Sequence, residues 1–313
     1  MEDVLVIGEA LVDIVSAAGQ AAVEHVGGSP ANVALGLARL GHHTRLLTRI
    51  GDDARGEMVR RHLEASGVEL VAGSVTSGAT STATAHLNAA RVASYAFDLD
   101  WSLPGDANLG TATAVHTGSI AATLEPGGLD VARLVEAASG RCLVSYDPNA
   151  RPTLMGSPEL ALPVVERIVR ACDVVKVSDE DLEWLTPGAD PIEVAQSWVR
   201  SGPALVVVTR GAMGAFAVLT SGVIAVPTLQ ITVADTVGAG DALMAGLLDA
   251  LSHADLLSAE AVPRLRGARL AEIEPILNHA VAVAALTCTR PGADPPNQQE
   301  LARWLATRSS TSA

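Results

Sequence analysis

The sequence predicts a doubly wound three-layer α/β/α sandwich carrying a small β-sheet lid. Two observations lead there. Short apolar runs of strand character alternate with amphipathic helical stretches along most of the chain, the pattern of a mostly parallel sheet covered on both faces. Between residues 73 and 98 that rhythm gives way to Thr/Ser/Ala/Val-rich runs with partial alternation and poor helical spacing. Such a stretch reads as a pair of lid strands rather than another β/α unit.

In chain order, residues 4–7 form a buried strand that runs into Gly8-Glu-Ala-Leu-Val-Asp13. Small residues follow up to Gly27-Gly28-Ser29-Pro30. Val33, Leu37 and Leu40 then fit a helix over 31–40, with Ser29 as N-cap, Pro30 as first helical residue and Gly41 as the stop. Residues 45–50 predict a strand and 55–66 a helix ending at Gly67. The lid strands fall at 80–87 and 92–97. After Gly110 the rhythm resumes, with strands at 114–117, 142–146, 174–176, 204–209 and 215–219. Helices are expected at 129–138, 161–171, 180–184 and 191–201. A strand-like run at 229–233 precedes helices at 241–250 and 273–286, a Pro-rich loop at 291–296 and a last helix at 299–306. The Ser/Thr-rich tail, 307–313, is expected to fray. With no repeat and no long linker, residues 1–313 read as one domain whose lid comes from about 12–26 and 78–98.

Composition narrows the function classes. The chain has 313 residues, nearly half of them apolar, and only 3% aromatic, so its core must be built from Ala, Val and Leu. No apolar run reaches the roughly 20 residues of a membrane span; the longest candidate is 280–288. The acidic start, Met-Glu-Asp, has no basic n-region, and a cytoplasmic protein is expected. Cys142, Cys172 and Cys288 lie far apart without zinc-type spacing and read as small reduced residues. A net charge of 21 − 35 = −14 opposes binding to nucleic acid or an anionic membrane. Among the histidines no HxH or HExxH pattern occurs. His42 and His43 are expected to be solvated, and His116 and His279 to be packing residues.

The segment 234–250 carries the most chemical information. A strand-like run meets Asp235-Thr-Val-Gly-Ala-Gly-Asp241 and then a helix with Leu243, Leu247 and Leu251 on one face. Gly238-Ala239-Gly240 lets the backbone approach a ligand and turns successive N–H groups into one pocket, where the helix dipole adds positive charge. Phosphoryl oxygens suit that pocket. Asp241 is then either an ordinary first-turn acid or a base that takes the proton from a hydroxyl attacking the phosphate. No GxxxxGK[ST] occurs, which excludes a Walker-type site.

Together with Gly27-Gly28-Ser-Pro-Ala-Asn32, the segment 235–248 resembles the two signatures of the ribokinase-like (PfkB) carbohydrate kinases. The resemblance runs from about residue 4 to 306 and implies an ATP-dependent kinase acting on a primary sugar hydroxyl. It implies Asp241 as general base and the amides of Gly238, Ala239 and Gly240 as anion hole. It places Asp13, Gly27, Gly28 and Asn32 at the sugar, where a carboxylate and an amide clamp vicinal hydroxyls.

Asp147-Pro-Asn149-Ala-Arg151 resembles the DPN-x-R block of fructokinase-like members, with Asn149 on the substrate side and Arg151 on the transferred charge. In Lys176-Val-Ser178-Asp-Glu180-Asp181 the family's Asn-x-x-Glu is altered, leaving open whether Glu180 or Asp181 reaches the water shell of the Mg2+ that arrives with ATP. Ser178, Thr209, Gly211, Gly214 and Asn278 match nucleotide-side positions. Asp235 and the 287–296 loop match the place where many relatives bind K+, although Pro295-Pro296 stands where some supply a hydroxyl. The resemblance also allows a homodimer through the lid.

The 8–13, 116–120 and 147–149 blocks resemble fructokinases more than ribokinases, which makes fructose the expected sugar and 2-keto-3-deoxygluconate or another hexose the alternative. Two rivals come from other classes. A non-catalytic sugar or nucleotide sensor would not need to keep Asp241. A nicotinamide oxidoreductase would carry GxGxxG where Gly8-Glu-Ala-Leu stands.

Overall fold

The computed structural model describes residues 2–17, 21–87 and 93–311. Positions 18–20 and 88–92, which the expected lid segments include, and the last two residues of the tail lie outside them. The chain opens with strands β1 (Asp3–Ile7), β2 (Leu11–Ala17) and β3 (Val23–Gly27), then helix α1 (Ser29–Arg39). β4 (His43–Leu47), β5 (Ile50–Gly51), α2 (Ala54–Glu64), β6 (Val68–Leu70) and β7 (Val75–Thr76) follow. The expected lid strands are β8 (Thr82–Leu87) and β9 (Ala93–Asp98). β10 (Ala114–Gly118), α3 (Gly127–Ala138), β11 (Leu143–Asp147), α4 (Pro152–Met155) and α5 (Pro158–Ala171) continue the alternation. Next come β12 (Val174–Ser178), α6 (Asp179–Leu185), α7 (Pro191–Ser201), β13 (Leu205–Thr209), β14 (Ala215–Leu219) and β15 (Gly222–Val226). The chain ends on α8 (Ala239–His253), α9 (Val262–Arg266), α10 (Leu270–Thr287) and α11 (Gln298–Thr311).

Nine strands form the large sheet in the order β15-β14-β13-β12-β11-β10-β1-β4-β6. Pairing is parallel from β6 to β13 and antiparallel at β13–β14 and β14–β15. From β1 the chain winds outward through β4 and β6, and from β10 in the opposite direction. The switch point of this doubly wound sheet therefore lies between β1 and β10, where such sheets gather ligands at their carboxyl ends. β3-β2-β8-β9 form a separate four-stranded sheet, with Asp13 opposite His25 and Ala83.

Both faces of the large sheet are covered. Val4 and Val6 pack into one apolar cluster with α1, α8 and α10, while Leu5 and Ile7 pack into the other with α3, α5 and α7. Each buried Val or Leu contributes roughly 1.5–3 kcal/mol, so the scarcity of aromatics is offset by many small contributions. Small residues also bring helices close together. A Cβ on Gly36 of α1 would lie 2.7 Å from Ala245 of α8, and one on Gly246 would lie 2.9 Å from Val283 of α10. That approach allows the first turns of α1 and α8 to share side-chain contacts.

Several expectations are corrected. Ser29 makes no capping hydrogen bond and is already helical, with Gly28 at the N-cap, because its hydroxyl has a tertiary partner. Residues 229–233 form no strand; they line a cavity instead. The tail is helical through Thr311, with the Arg308 guanidinium 4.7 Å from the Trp304 ring centre. His42 is not solvated: its Nε2 lies 2.9 Å from Asp249 Oδ1, and His279 Nε2 lies 2.7 Å from Oδ2. β15, which the sequence reading lacks, adds an edge strand. α10 is long and apolar enough to cross a membrane by length and composition, yet much of it is buried against α8 and the sheet.

Candidate active site

Asp241 stands in the first turn of α8 and is only 7% exposed. Two hydrogen bonds fix its carboxylate. Ser29 Oγ donates to Oδ1 at 2.7 Å, and Asn32 Nδ2 donates to Oδ2 at 2.8 Å. Both donors sit in the first turn of α1, so the two distant sequence signatures meet at this carboxylate. Asn32, expected at the sugar, commits its amide to Asp241 instead.

The turn before Asp241 follows from its glycines. Gly238 has φ +74°, and a Cβ there would lie 2.6 Å from that of Ala293, so no other residue fits without strain. Ala239 N donates to Thr236 O at 3.2 Å. Among the described residues the amides of Gly238, Gly240 and Asp241 have no backbone acceptor, as expected where a helix begins. Free amides at a helix N-terminus are the groups that bind anions.

Two of the residues expected at the sugar, Asp13 on β2 and Gly27 on β3, meet on the small sheet. A Cβ on Gly27 would lie 2.0 Å from Asp13 Oδ2, so the carboxylate rests directly on the glycine backbone and is exposed toward the cleft. Although Asp13 keeps contact with solvent, the desolvation of its carboxylate raises its pKa, opposed by Arg151 and His25. Gly28 takes φ +104°, close over Glu9 O. Glu9, a residue the sequence reading did not single out, is buried and accepts from Ala121 N at 3.1 Å. Burial pushes it up to about 7 against the pull of Ser119, Ala121 and Arg151.

Arg151 closes the turn after β11. Asp147 Oδ1 accepts from Asn149 N at 3.2 Å, Asn149 adopts φ 36°, and Arg151 Nη1 donates to Asn149 Oδ1 at 2.7 Å. The exposed guanidinium is thereby preset toward the cleft that Asp13 and Glu9 also face. Asp181 ties this turn to the next one. Its Oδ1 accepts from Ala150 N at 2.9 Å and its Oδ2 from Ser178 N at 3.3 Å. Ser178 Oγ in turn accepts from Asp181 N, completing a capping box on α6. Glu180 is exposed beside it. No group of three or more His, Cys, Asp or Glu among the described residues forms a direct metal cage. Oxygen donors without a cage suit a hard cation held mainly through phosphates and water.

A cavity of about 410 Å³ adjoins the anion site. Thr209, Gly211 and Gly214 line one side, Leu229 and Val281 the walls, and Gly240 the end nearest Asp241. It is apolar, partly enclosed and of nucleoside size. Cys288 is part of its wall, whereas Cys142 and Cys172 are buried. Asn278 is exposed on α10 one turn before Val281 and does not line the cavity; neither does Ser178. Asp235 lies at the outer edge, where Oδ1 accepts from Val237 N at 3.1 Å and Oδ2 from Gly292 N at 2.8 Å.

Comparison with known proteins identifies the family. Residues 1–300 match the pfkB family carbohydrate kinase model. A fructokinase of Rhizobium leguminosarum bv. trifolii is 33% identical, over 84% of this chain and 83% of its own. A fructokinase of Klebsiella pneumoniae is 31% identical, over 92% and 94%. Among solved structures, fructokinase with bound ATP from Xylella fastidiosa superposes with TM-score 0.83 at 27% identity, over 98% and 99% of the two chains. A fructokinase double mutant from Vibrio cholerae O395 with fructose, ADP and potassium ion gives 0.80 at 28% identity, over 97% and 98%.

Proposed function

The chain belongs to the pfkB family of carbohydrate kinases, and on that premise we propose that it transfers the γ-phosphoryl group of ATP to a primary hydroxyl of fructose, with Asp241 as general base. One observation carries the reading: a buried carboxylate, held by Ser29 and Asn32, stands beside free helix N-terminal amides at the mouth of a nucleoside-sized cavity. The fructokinase relatives support the choice of sugar.

Asp13 and the amides around Gly27 and Gly28 orient the sugar, with Asn149 on the same side. Asp241 accepts the proton of the attacking hydroxyl. The resulting oxygen bonds to the γ-phosphorus as the bond to the β–γ bridging oxygen breaks, and ADP leaves with that electron pair. The free amides of Gly238, Gly240 and Asp241 surround the transferred oxygens, and Arg151 faces the developing charge. Ala239, expected among them, ties its own amide to Thr236 and shapes the turn. Mg2+, which ATP brings, would neutralise phosphate charge, with Glu180 and Asp181 as the acids for its water shell. Thr209, Gly211 and Gly214 border the nucleotide, and Ser178 organises α6 beneath it.

Asp235 already closes its loop on two backbone amides, and Pro295-Pro296 offers no hydroxyl; the reading therefore gives K+ no required role. The remaining assignments are one catalytic domain, the β3-β2-β8-β9 sheet as a lid that excludes water, and a cytoplasmic location. Exposed Val15 and Val23 on that sheet suit a homodimer formed through it.

A panel of fructose, ribose, other hexoses and 2-keto-3-deoxygluconate, assayed for ATP-dependent phosphorylation, tests the sugar. Fructose must give the highest kcat/KM; equal turnover of ribose or ketodeoxygluconate would overturn that choice. Asp241→Asn must abolish turnover while sugar and ATP still bind, and an active variant would remove Asp241 from the mechanism.

A further inference from the structure

Strand β12 reads Val-Val-Lys-Val-Ser, one charge among apolar residues in the middle of a buried sheet. Lys176 is 4% exposed, and its Nζ lies 2.6 Å from Asp147 Oδ2, which is fully buried. The contact is a short ion pair closed off from solvent. Burying an ammonium costs several kcal/mol unless opposite charge sits beside it. An apolar side chain would fill this strand position at no such cost, so the charge calls for a role.

Its surroundings suggest one. A Cβ on Gly240 would lie 3.1 Å from Nζ, so the ammonium sits against the first turn of α8, among the amides of the anion site. Asp241 and Asp181 also act on it through space, and His116 faces it from β10. Burial works against the charged form, but Asp147, Asp241 and Asp181 more than reverse this and hold Lys176 protonated. Through Asp147 the same ammonium reaches the 147–151 turn, because Asp147 Oδ1 accepts from Asn149 N and Asn149 anchors Arg151.

We propose that Lys176 is a positioning residue for phosphoryl transfer: it fixes the distance between the anion site on α8 and the turn that presents Arg151, and its charge offsets the carboxylates gathered around the incoming phosphates. The proposal rests on the kinase reading, and wild-type turnover measured in the same assay tests that reading separately. It accounts for a glycine at position 240, where a Cβ would crowd Nζ and push the ammonium aside by a few tenths of an ångström. It also separates Lys176 from the groups that touch the substrate: the ammonium lies beneath the site and acts through Gly240 and Asp147.

The test uses Lys176→Met, Lys176→Arg and the double variant Lys176→Met/Asp147→Asn in the full chain. The double variant removes the buried pair as a neutral whole while Asn keeps the acceptor for Asn149 N, so it remains informative where Lys176→Met alone does not fold. Expected is a cooperatively unfolding double variant with kcat lowered about 100-fold or more and sugar KM within about threefold of wild type. Lys176→Arg, which keeps the charge, should recover roughly tenfold or more over Lys176→Met where both fold. A double variant with kcat within about fivefold of wild type would overturn the proposal, because Lys176 would then only neutralise Asp147. A sugar KM that rises as far as kcat falls would also overturn it, by showing general collapse of the site.

Discussion

Ser29 donates its hydroxyl to Asp241 Oδ1 at 2.7 Å, joining the first turns of two helices 212 positions apart in sequence. The bond fixes the carboxylate and, on the proposed mechanism, leaves its remaining lone pairs to the sugar hydroxyl. Ser29→Ala should therefore lower kcat by about tenfold with sugar KM nearly unchanged, the scale of one hydrogen bond to a charged group. Steady-state kinetics decide it, and a rise in KM at constant kcat would place Ser29 in sugar binding instead.

Arg151 donates from one nitrogen, Nη1, to Asn149 Oδ1, Asn149 O and Ala150 O. The guanidinium is thus preorganised by its own turn. Arg151→Ala should lower kcat by about 10²-fold or more, as removal of one charge-stabilising donor does. Arg151→Lys should recover little, because an ammonium cannot hold the turn and face the phosphoryl group at once. Full activity of the Lys variant would show that charge alone suffices.

Asp235 accepts from Val237 N and Gly292 N. A loop closed by its own amides has less need of a cation to shape the anion site. Replacing K+ by tetramethylammonium at constant ionic strength should change kcat/KM by no more than about twofold. A large activation by K+ would restore the cation to the mechanism.

Glu9 is buried, and burial raises it to about 7 from an ordinary 4.5. A raised carboxyl pKa means that the folded state prefers the neutral acid. Its contribution to stability is then complete below about pH 4.5 and is lost as pH rises through 7, an effect of about 3 kcal/mol. Glu9→Gln, which keeps an acceptor for Ala121 N, should remove that slope. Urea unfolding from pH 5 to 9 checks this, and parallel profiles for the two proteins would refute it.

The fold was legible wherever burial set the period: β1, β10 to β14 and their helices follow from apolar spacing alone. The exceptions have particular causes. Ser29-Pro30 is a good local cap pattern, but a buried carboxylate brought in by α8 offers the hydroxyl a stronger partner. Leu229, Ile231 and Val233 alternate like a strand, but they line the cavity and pair with no sheet. Lys176 could have been found from sequence, since a lone charge inside a buried strand is rarely idle. Asn278 rests on resemblance alone: it is exposed on α10, one turn from the cavity-lining Val281.

Asp249, near the far end of α8, is 2% exposed and lies between His42 and His279, with His253 Nδ1 at 3.6 Å. Burial alone would raise its pKa, but hydrogen bonds from His279 and His42 reverse this and hold the carboxyl near 2, down from 3.8. A depressed carboxyl pKa stabilises the fold above the unfolded value, and the contribution is lost as pH falls from about 4 toward 2, an effect of about 2 kcal/mol. His42 precedes β4 and His279 lies on α10, so the carboxylate ties both to α8, the helix that also carries Asp241. Asp249→Asn should lower stability at pH 7 by about that amount, with the gap to wild type narrowing below pH 4. Because the cluster is remote from the cleft, sugar KM should stay within about twofold of wild type. Denaturant unfolding at pH 7 and pH 3 measures the first effect and steady-state kinetics the second; a gap that stays constant with pH would show that packing, not ionisation, accounts for the loss.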